Sequence, residues 1–286
     1  MASLKAIRKR IVSVRATQKS TKAMKMVSAA KLRRAQEAAT NARAYTDKLT
    51  QLLGNVAARV ENGAHPLLQR RDEERSIHVL LVTADRGLCG GYNANLIRKL
   101  EALLAERGRE RVRVTVVGRR GFDYFKRRQV NIVDKHINLF GGPNAALAQQ
   151  LAEQLSREYA EGETDGVYIL YSHFRSVLAQ LPTLQRVLPI STENVSAASL
   201  ADYIYEPDAA SLLDRLLRKY VTVLIHRAFL EASASEHGAR MTAMDSATNN
   251  ASDMIDRLTL AMNRARQATI TKELMEIIGG AEVLKG

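Results

Sequence analysis

The chain has 286 residues, 46% hydrophobic and 26% charged, which excludes low-complexity disorder and allows one sizeable core or two modest ones. A single cysteine, Cys89, excludes an intramolecular disulfide, and no run of about 18 uncharged apolar residues reads as a transmembrane helix. The formal net charge is +13, and residues 1–50 hold +11 of it, 13 Lys and Arg against two Asp and Glu. A positive field at one end calls for an acidic partner there: nucleic acid, anionic lipid or an acidic protein surface.

The first element is one long helix over residues 1–62. Stepping alternately by three and four from Leu4 to Val60 visits 17 positions, of which 12 are apolar. That 3.5-residue repeat marks a supercoiled seam. A polar block from Gln18 to Ser28 interrupts it, with Met24, Met26 and Val27 off the strict seam, so the helix is expected to change neighbours there. An Arg/Lys-rich, acid-poor start also suits a transit peptide, but the periodicity runs far beyond transit-peptide length.

Residues 76–206 read as an α/β domain. Ile77–Thr83 is a buried strand, Ala94–Arg107 a helix and Val112–Val117 a second strand. Phe122–Arg128 is a short helix and Val130–Val133 a weak strand. Asn144–Tyr159 is helical, Val167–Tyr171 is a strand, and Leu184–Ile190 reads as another. Strands alternating with helices imply a mostly parallel, Rossmann-like sheet covered on both faces.

Residues 208–286 return to one helix. The same stepping from Leu216 to Thr269 visits 16 positions, 12 of them apolar. Pro207 suits the start and Gly279-Gly280 a stop. At about 1.5 Å rise per residue, helices this long exceed what a compact domain can cover. Their seams need partners, and each other is the obvious one, as a long antiparallel coiled coil.

Motifs for chemistry are sparse. Asp85-Arg86-Gly87-Leu88-Cys89-Gly90-Gly91-Tyr92-Asn93 follows a strand and opens a helix. It reads either as a phosphate cradle or as a tight packing turn, and it matches neither the dinucleotide fingerprint nor the P-loop. Cys89 reads as a packed thiol or a reactive one. The six histidines lack metal-ligand spacing, and no nucleophile–base pattern or acid/base pair appears. Apart from Met1, every methionine lies in the two long helices, as gap filler or as an adaptable surface. The basic helix has no aromatic residue before Tyr45 to stack on bases. A nucleotide-binding enzyme with helical arms and a coiled-coil nucleic-acid binder both stay open at this point.

Six stretches then carry a family likeness. Ile7–Gln36, with its Thr21-Lys22-Ala23-Met24-Lys25-Met26-Val27, resembles the N-terminal helix of the F-type ATP synthase gamma subunit of bacteria. Asp85–Asn93 is similar to that family's D-R-G-L-C-G-x-x-N turn. Leu181-Pro182-Thr183, Leu188-Pro189 and Tyr205-Glu206-Pro207 match in order. Asn263–Ala281 resembles the terminal signature I-T-x-E-[LI]-x-E-I-[VI]-x-G-A. The chloroplast form's inserted regulatory cysteine pair has no counterpart here.

The resemblance implies a rotor shaft. Its partners would be three alpha and three beta subunits, epsilon and the ring of c subunits, with one copy per complex and no nucleic acid. It implies no catalytic residue, metal or cofactor on this chain, with Mg-ATP and ADP held by alpha and beta. It implies a peripheral place on the cytoplasmic face of the bacterial membrane, touching the membrane only through the c ring. Carried over position by position, Lys22, Met24, Lys25, Arg240, Arg266, Gln267 and Thr271 are expected to meet the alpha/beta ring. Tyr203, Tyr205 and Glu206 are expected on the foot, toward epsilon and the c ring.

Overall fold

The structure, a computed structural model, describes residues 4–57, 65–71, 73–139, 144–191 and 209–283. Tyr203, Tyr205 and Glu206 fall outside the described residues, as do Gly141–Pro143 and Pro207. Two helices dominate, α1 (Leu4–Ala57) and α5 (Ala209–Val283). Between them run β1 (Ile77–Val82), α2 (Tyr92–Arg107), β2 (Val112–Val117), α3 (Arg119–Phe125), β3 (Asn131–His136), α4 (Ala145–Ala160), β4 (Gly166–Phe174) and β5 (Gln180–Leu188). By packing the chain forms two units, residues 28–240 and residues 1–27 with 241–286.

In the larger unit the five strands lie in the order β3-β2-β1-β4-β5. The first four are parallel and β5 returns antiparallel beside β4. The chain steps outward through β1, β2 and β3, then crosses back to place β4 on the other side of β1. Right-handed crossovers put helices of opposite steps on opposite faces. Accordingly α2 and α3 cover one face and α4 the other.

Every residue of β1 is buried, because both faces are covered. Val79 and Leu81 pack with Leu96, Leu100 and Leu104, the i, i+4 stripe of α2, and with Phe125 of α3. Leu80 and Val82 pack with Leu151, Leu155 and Tyr159 of α4. That second core also takes Leu213, Leu217, Val221, Ile225 and Phe229 of α5 and Leu53 and Val56 of α1. Asn144 caps α4 by accepting from the Leu147 N–H at 3.0 Å. Gly118 holds a positive φ of 97° before α3, and a Cβ there would sit 2.1 Å from the Thr83 carbonyl oxygen.

The traced seam of α1 is borne out along its described length: each position from Leu4 to Val56 is buried or half-buried. On α5 the trace found one stripe where there are two. Leu213, Leu217, Val221, Leu224, Ile225, Ala228, Phe229 and Ala232 are buried beside it, because this stretch packs on the sheet as well as carrying the seam. Several boundaries differ from expectation: β3 and β4 each run three residues further, to His136 and Phe174, and α2 begins at Tyr92. The short helix begins at Arg119, since Gly118 supplies the turn. The last strand begins at Gln180 and tolerates Pro182 because β5 is a sheet edge. Gly279 and Gly280 do not end α5, which stays helical to Val283. Two helical glycines cost about 2 kcal/mol together, which the good helix formers before them offset.

Candidate functional site

No group of His, Cys, Asp and Glu suited to a metal ion occurs among the described residues, and none of their helices is long and apolar enough to cross a membrane. In open α/β sheets ligands enter at the carboxyl ends of the strands where the strand order reverses, here between β1 and β4. In this chain α5 occupies that end. Ser235 Oγ donates to the Ser172 carbonyl at 2.8 Å, and Tyr92 Oη donates to the Ala232 carbonyl at 3.3 Å.

The Asp85–Asn93 turn is committed inward. Asp85 accepts from the N–H groups of Arg119 (2.8 Å), Asn138 (3.1 Å) and Leu139 (2.7 Å). Asn93 Oδ1 accepts from Ala84 N–H at 3.0 Å, and its Nδ2 donates to Cys89 Sγ at 3.2 Å. Cys89 is 2% exposed, and burial pushes its thiol pKa up, the opposite of an activated nucleophile. Of the two readings of this turn, the packing one fits this geometry.

The expected ring-contact positions divide into three groups. In the smaller unit α1 and α5 pair through Thr21 and Thr248, whose hydroxyls lie 2.8 Å apart, and through Lys25 Nζ and Asp245 Oδ1 at 2.6 Å. Lys25 is thus tied within the chain, by a half-exposed pair worth about 0–1 kcal/mol. Lys22 is exposed and Met24 half-buried.

Arg240, in the larger unit, is not free for a partner in this conformation. It is 9% exposed. Its guanidinium lies 2.7 Å from Glu236 and donates to the Gly87 carbonyl at 3.4 Å. Beside it the His237 imidazole has its pKa lowered to about 4 by burial, then by Arg240 and Lys31, so it is neutral at physiological pH.

The third group is the tip. The pairings Thr21–Thr248 and Lys25–Asp245 set an antiparallel register in which Leu4 falls opposite a residue near Ala265. Past that point the described part of α1 supplies no partner, and Arg266–Ile278 are all exposed. Arg266, Gln267 and Thr271 therefore face solvent. So do Ile270 (52%), Leu274 (54%), Met275 (65%), Ile277 (72%) and Ile278 (50%). The repeat visible in the sequence stops at Thr269, so these five side chains escaped the seam. Their signal was the apolar density of a helix that outlasts its partner.

A family model described as ATP synthase matches residues 3–284. The ATP synthase gamma chain of Geobacter metallireducens is 50% identical over 289 residues, covering 100% of both chains. That of Moorella thermoacetica is 49% identical over 285 residues, again with 100% of both covered. Among solved structures, a chain of the Euglena gracilis mitochondrial ATP synthase OSCP/F1/c-ring aligns with TM-score 0.69 at 18% identity, covering 98% of this chain and 94% of that one. A chain of the Tetrahymena thermophila mitochondrial ATP synthase central stalk and c-ring aligns with TM-score 0.62 at 24% identity, covering 79% and 98%.

Proposed function

This chain belongs to the ATP synthase gamma-chain family, and we propose that it is the central-stalk shaft coupling rotation of a c ring to the catalytic sites of the beta subunits. The observation that carries the mechanism is the tip of α5: thirteen consecutive exposed helical residues, 266–278, with five large apolar side chains among them. Water is a poor solvent for that surface. A sleeve formed by three alpha and three beta subunits is the partner that would cover it.

In this reading the chain performs no chemistry and holds no cofactor; Mg-ATP and ADP belong to alpha and beta. A single asymmetric shaft meets three chemically identical beta subunits differently at each angle. Differential contact is what biases each toward a distinct conformation. Arg266, Gln267 and Thr271 line the tip for such contacts, and Lys22 and Met24 extend them down the pair. Lys25 and Arg240 act first inside the chain, ordering the helices that present the others.

The sheet-bearing unit serves as a foot on epsilon and the c ring, through a surface assigned to Tyr203, Tyr205 and Glu206. The chain is peripheral, on the cytoplasmic face of the membrane, one copy per complex. The test is reconstitution with purified alpha and beta subunits, comparing the full chain with one lacking residues 266–286. ATPase that depends on the chain and changes on truncation is expected. A folded full-length chain that fails to join alpha and beta refutes the reading.

A further inference from the structure

One buried ionic group lies apart from the candidate ring-contact positions. Glu231 of α5 is 0% exposed. Its Oε1 accepts from Arg43 Nε of α1 at 2.9 Å and from Arg227 Nε of α5 at 3.1 Å. Its Oε2 bonds His173 Nδ1 of β4. Arg43 is itself bridged, its Nη2 donating to the Phe174 carbonyl of β4 at 2.9 Å. One carboxylate thus joins two helices and a strand, with each oxygen assigned to different elements. Desolvation works against the charge, but the hydrogen bonds from Arg43 and His173 prevail and hold the carboxyl below its ordinary range.

The seam around it is shallow. The α1 positions Ala35, Ala39 and Ala42 are all alanine. Of the buried α5 residues flanking Glu231, Phe229 belongs to the sheet-side core, and the rest, Ala228, Ala232, Ala234 and Ser235, are small. Small side chains give weak knobs, and apolar packing is non-directional, so such a seam resists sliding poorly. Among the described residues of this unit, Arg43–Glu231 is the ion pair that joins α1 to α5. Buried ionic groups are weak evidence of stability, but setting register is their best-attested use.

We propose that Glu231 is a positioning residue that fixes the axial and rotational register of α1 and α5 on the sheet, making the three elements turn as one body. The register claim stands on the geometry alone; its mechanical consequence rests on the central-stalk role proposed above.

The test uses the full chain in a Cys89→Ala background, with spin labels at Thr40→Cys on α1 and Lys219→Cys on α5, both exposed. The unmodified network is expected to give one narrow distance distribution. Glu231→Gln, which keeps the hydrogen-bonding shape, should preserve it. Glu231→Leu with Arg43→Met should fold, yet broaden the distribution at least twofold or shift it by about 5 Å, one helical turn. Arg43→Lys keeps the charge but cannot hold Glu231 and the Phe174 carbonyl together. It should broaden the distribution too, and it decides the matter if the double variant does not fold. A folded Glu231→Leu/Arg43→Met or Arg43→Lys chain with an unchanged narrow distribution overturns the proposal. In the assembled complex, loosened variants should retain ATP hydrolysis while pumping fewer protons per ATP. A parent chain that fails to assemble would count against the central-stalk role and leave the spin-label result standing.

Discussion

Replacing Ile270, Leu274 and Ile277 together by serine separates what the tip does for the chain from what it does for a partner. The three are 52%, 54% and 72% exposed, so they already leave nearly two full side chains' worth of apolar surface in water. Burying one large apolar side chain is worth about 1.5–3 kcal/mol, which makes the surface still available to a partner worth about 3–5 kcal/mol, an upper bound if it is fully covered. The isolated chain should hardly notice the change, since exposed substitutions stay within about 0.5 kcal/mol each. Association with the alpha/beta ring should weaken by two to nearly four powers of ten. The assay pairs thermal unfolding of the isolated chain with titration against alpha/beta complex at fixed salt. Leu217→Ala, at a fully buried position, is the contrast: it should lower stability by about 2–5 kcal/mol. Unchanged affinity of the triple variant, or a large drop in its melting temperature, would refute the argument.

Gly118→Ala should destabilise the larger unit by at least about 2 kcal/mol. The added Cβ meets the Thr83 carbonyl at 2.1 Å, and φ is 97°; denaturant unfolding measures it. His237 sets a pH dependence. Its pKa falls from the ordinary 6.5 to about 4 in the fold, so the unfolded chain binds the extra proton between those values. Stability is therefore full above about pH 6.5 and declines as pH falls toward 4, by about 2–3 kcal/mol. His237→Gln should flatten that limb of the stability curve, and a curve unchanged by the substitution would contradict the assignment.

What could be read in advance divides by how local its cause is. β1 and β2 were plain because Ile77–Val82 and Val112–Val117 are rich in β-branched and apolar residues, despite His78, Arg113 and Thr115, and are bounded by polar residues and Gly118. The α1 seam was plain because every described position of the 3.5-residue trace falls on one buried or half-buried stripe, with exposed polar residues on the other side of the helix. The second stripe of α5, from Leu213 to Ala232, was hidden because a helix packed on two sides keeps only a narrow polar face, Arg215, Arg218 and Lys219, so its apolar positions fit more than one phase. β5 was placed at Leu184–Ile190 and runs Gln180–Leu188 instead, because Pro182 fits a strand only at the sheet edge that the completed sheet reveals. The Asp85–Asn93 turn could be read both as a packing turn and as a phosphate cradle because a backbone that approaches another backbone needs the same glycines as one that approaches phosphate. Arg240 matched a family position, yet its burial and its pairing with Glu236 appear only in three dimensions. The joint at Glu231 had no motif at all, since Arg43, His173 and Glu231 are brought together by the fold.

The graded burial of α5 also has a bearing on how the helix opens. Residues 220–240 are covered all round, with none exposed, 249–265 on a single stripe, and 266–278 nowhere. Opening free energy follows local packing, so amide exchange should be slowest in the first stretch and fastest in the last. Proteases would trim the free chain inward from its C-terminal side and stall where the sheet begins to shield it. The same gradient separates tasks along one continuous helix: its rigid base can be held without slack while its far end keeps the freedom to adapt to successive neighbours.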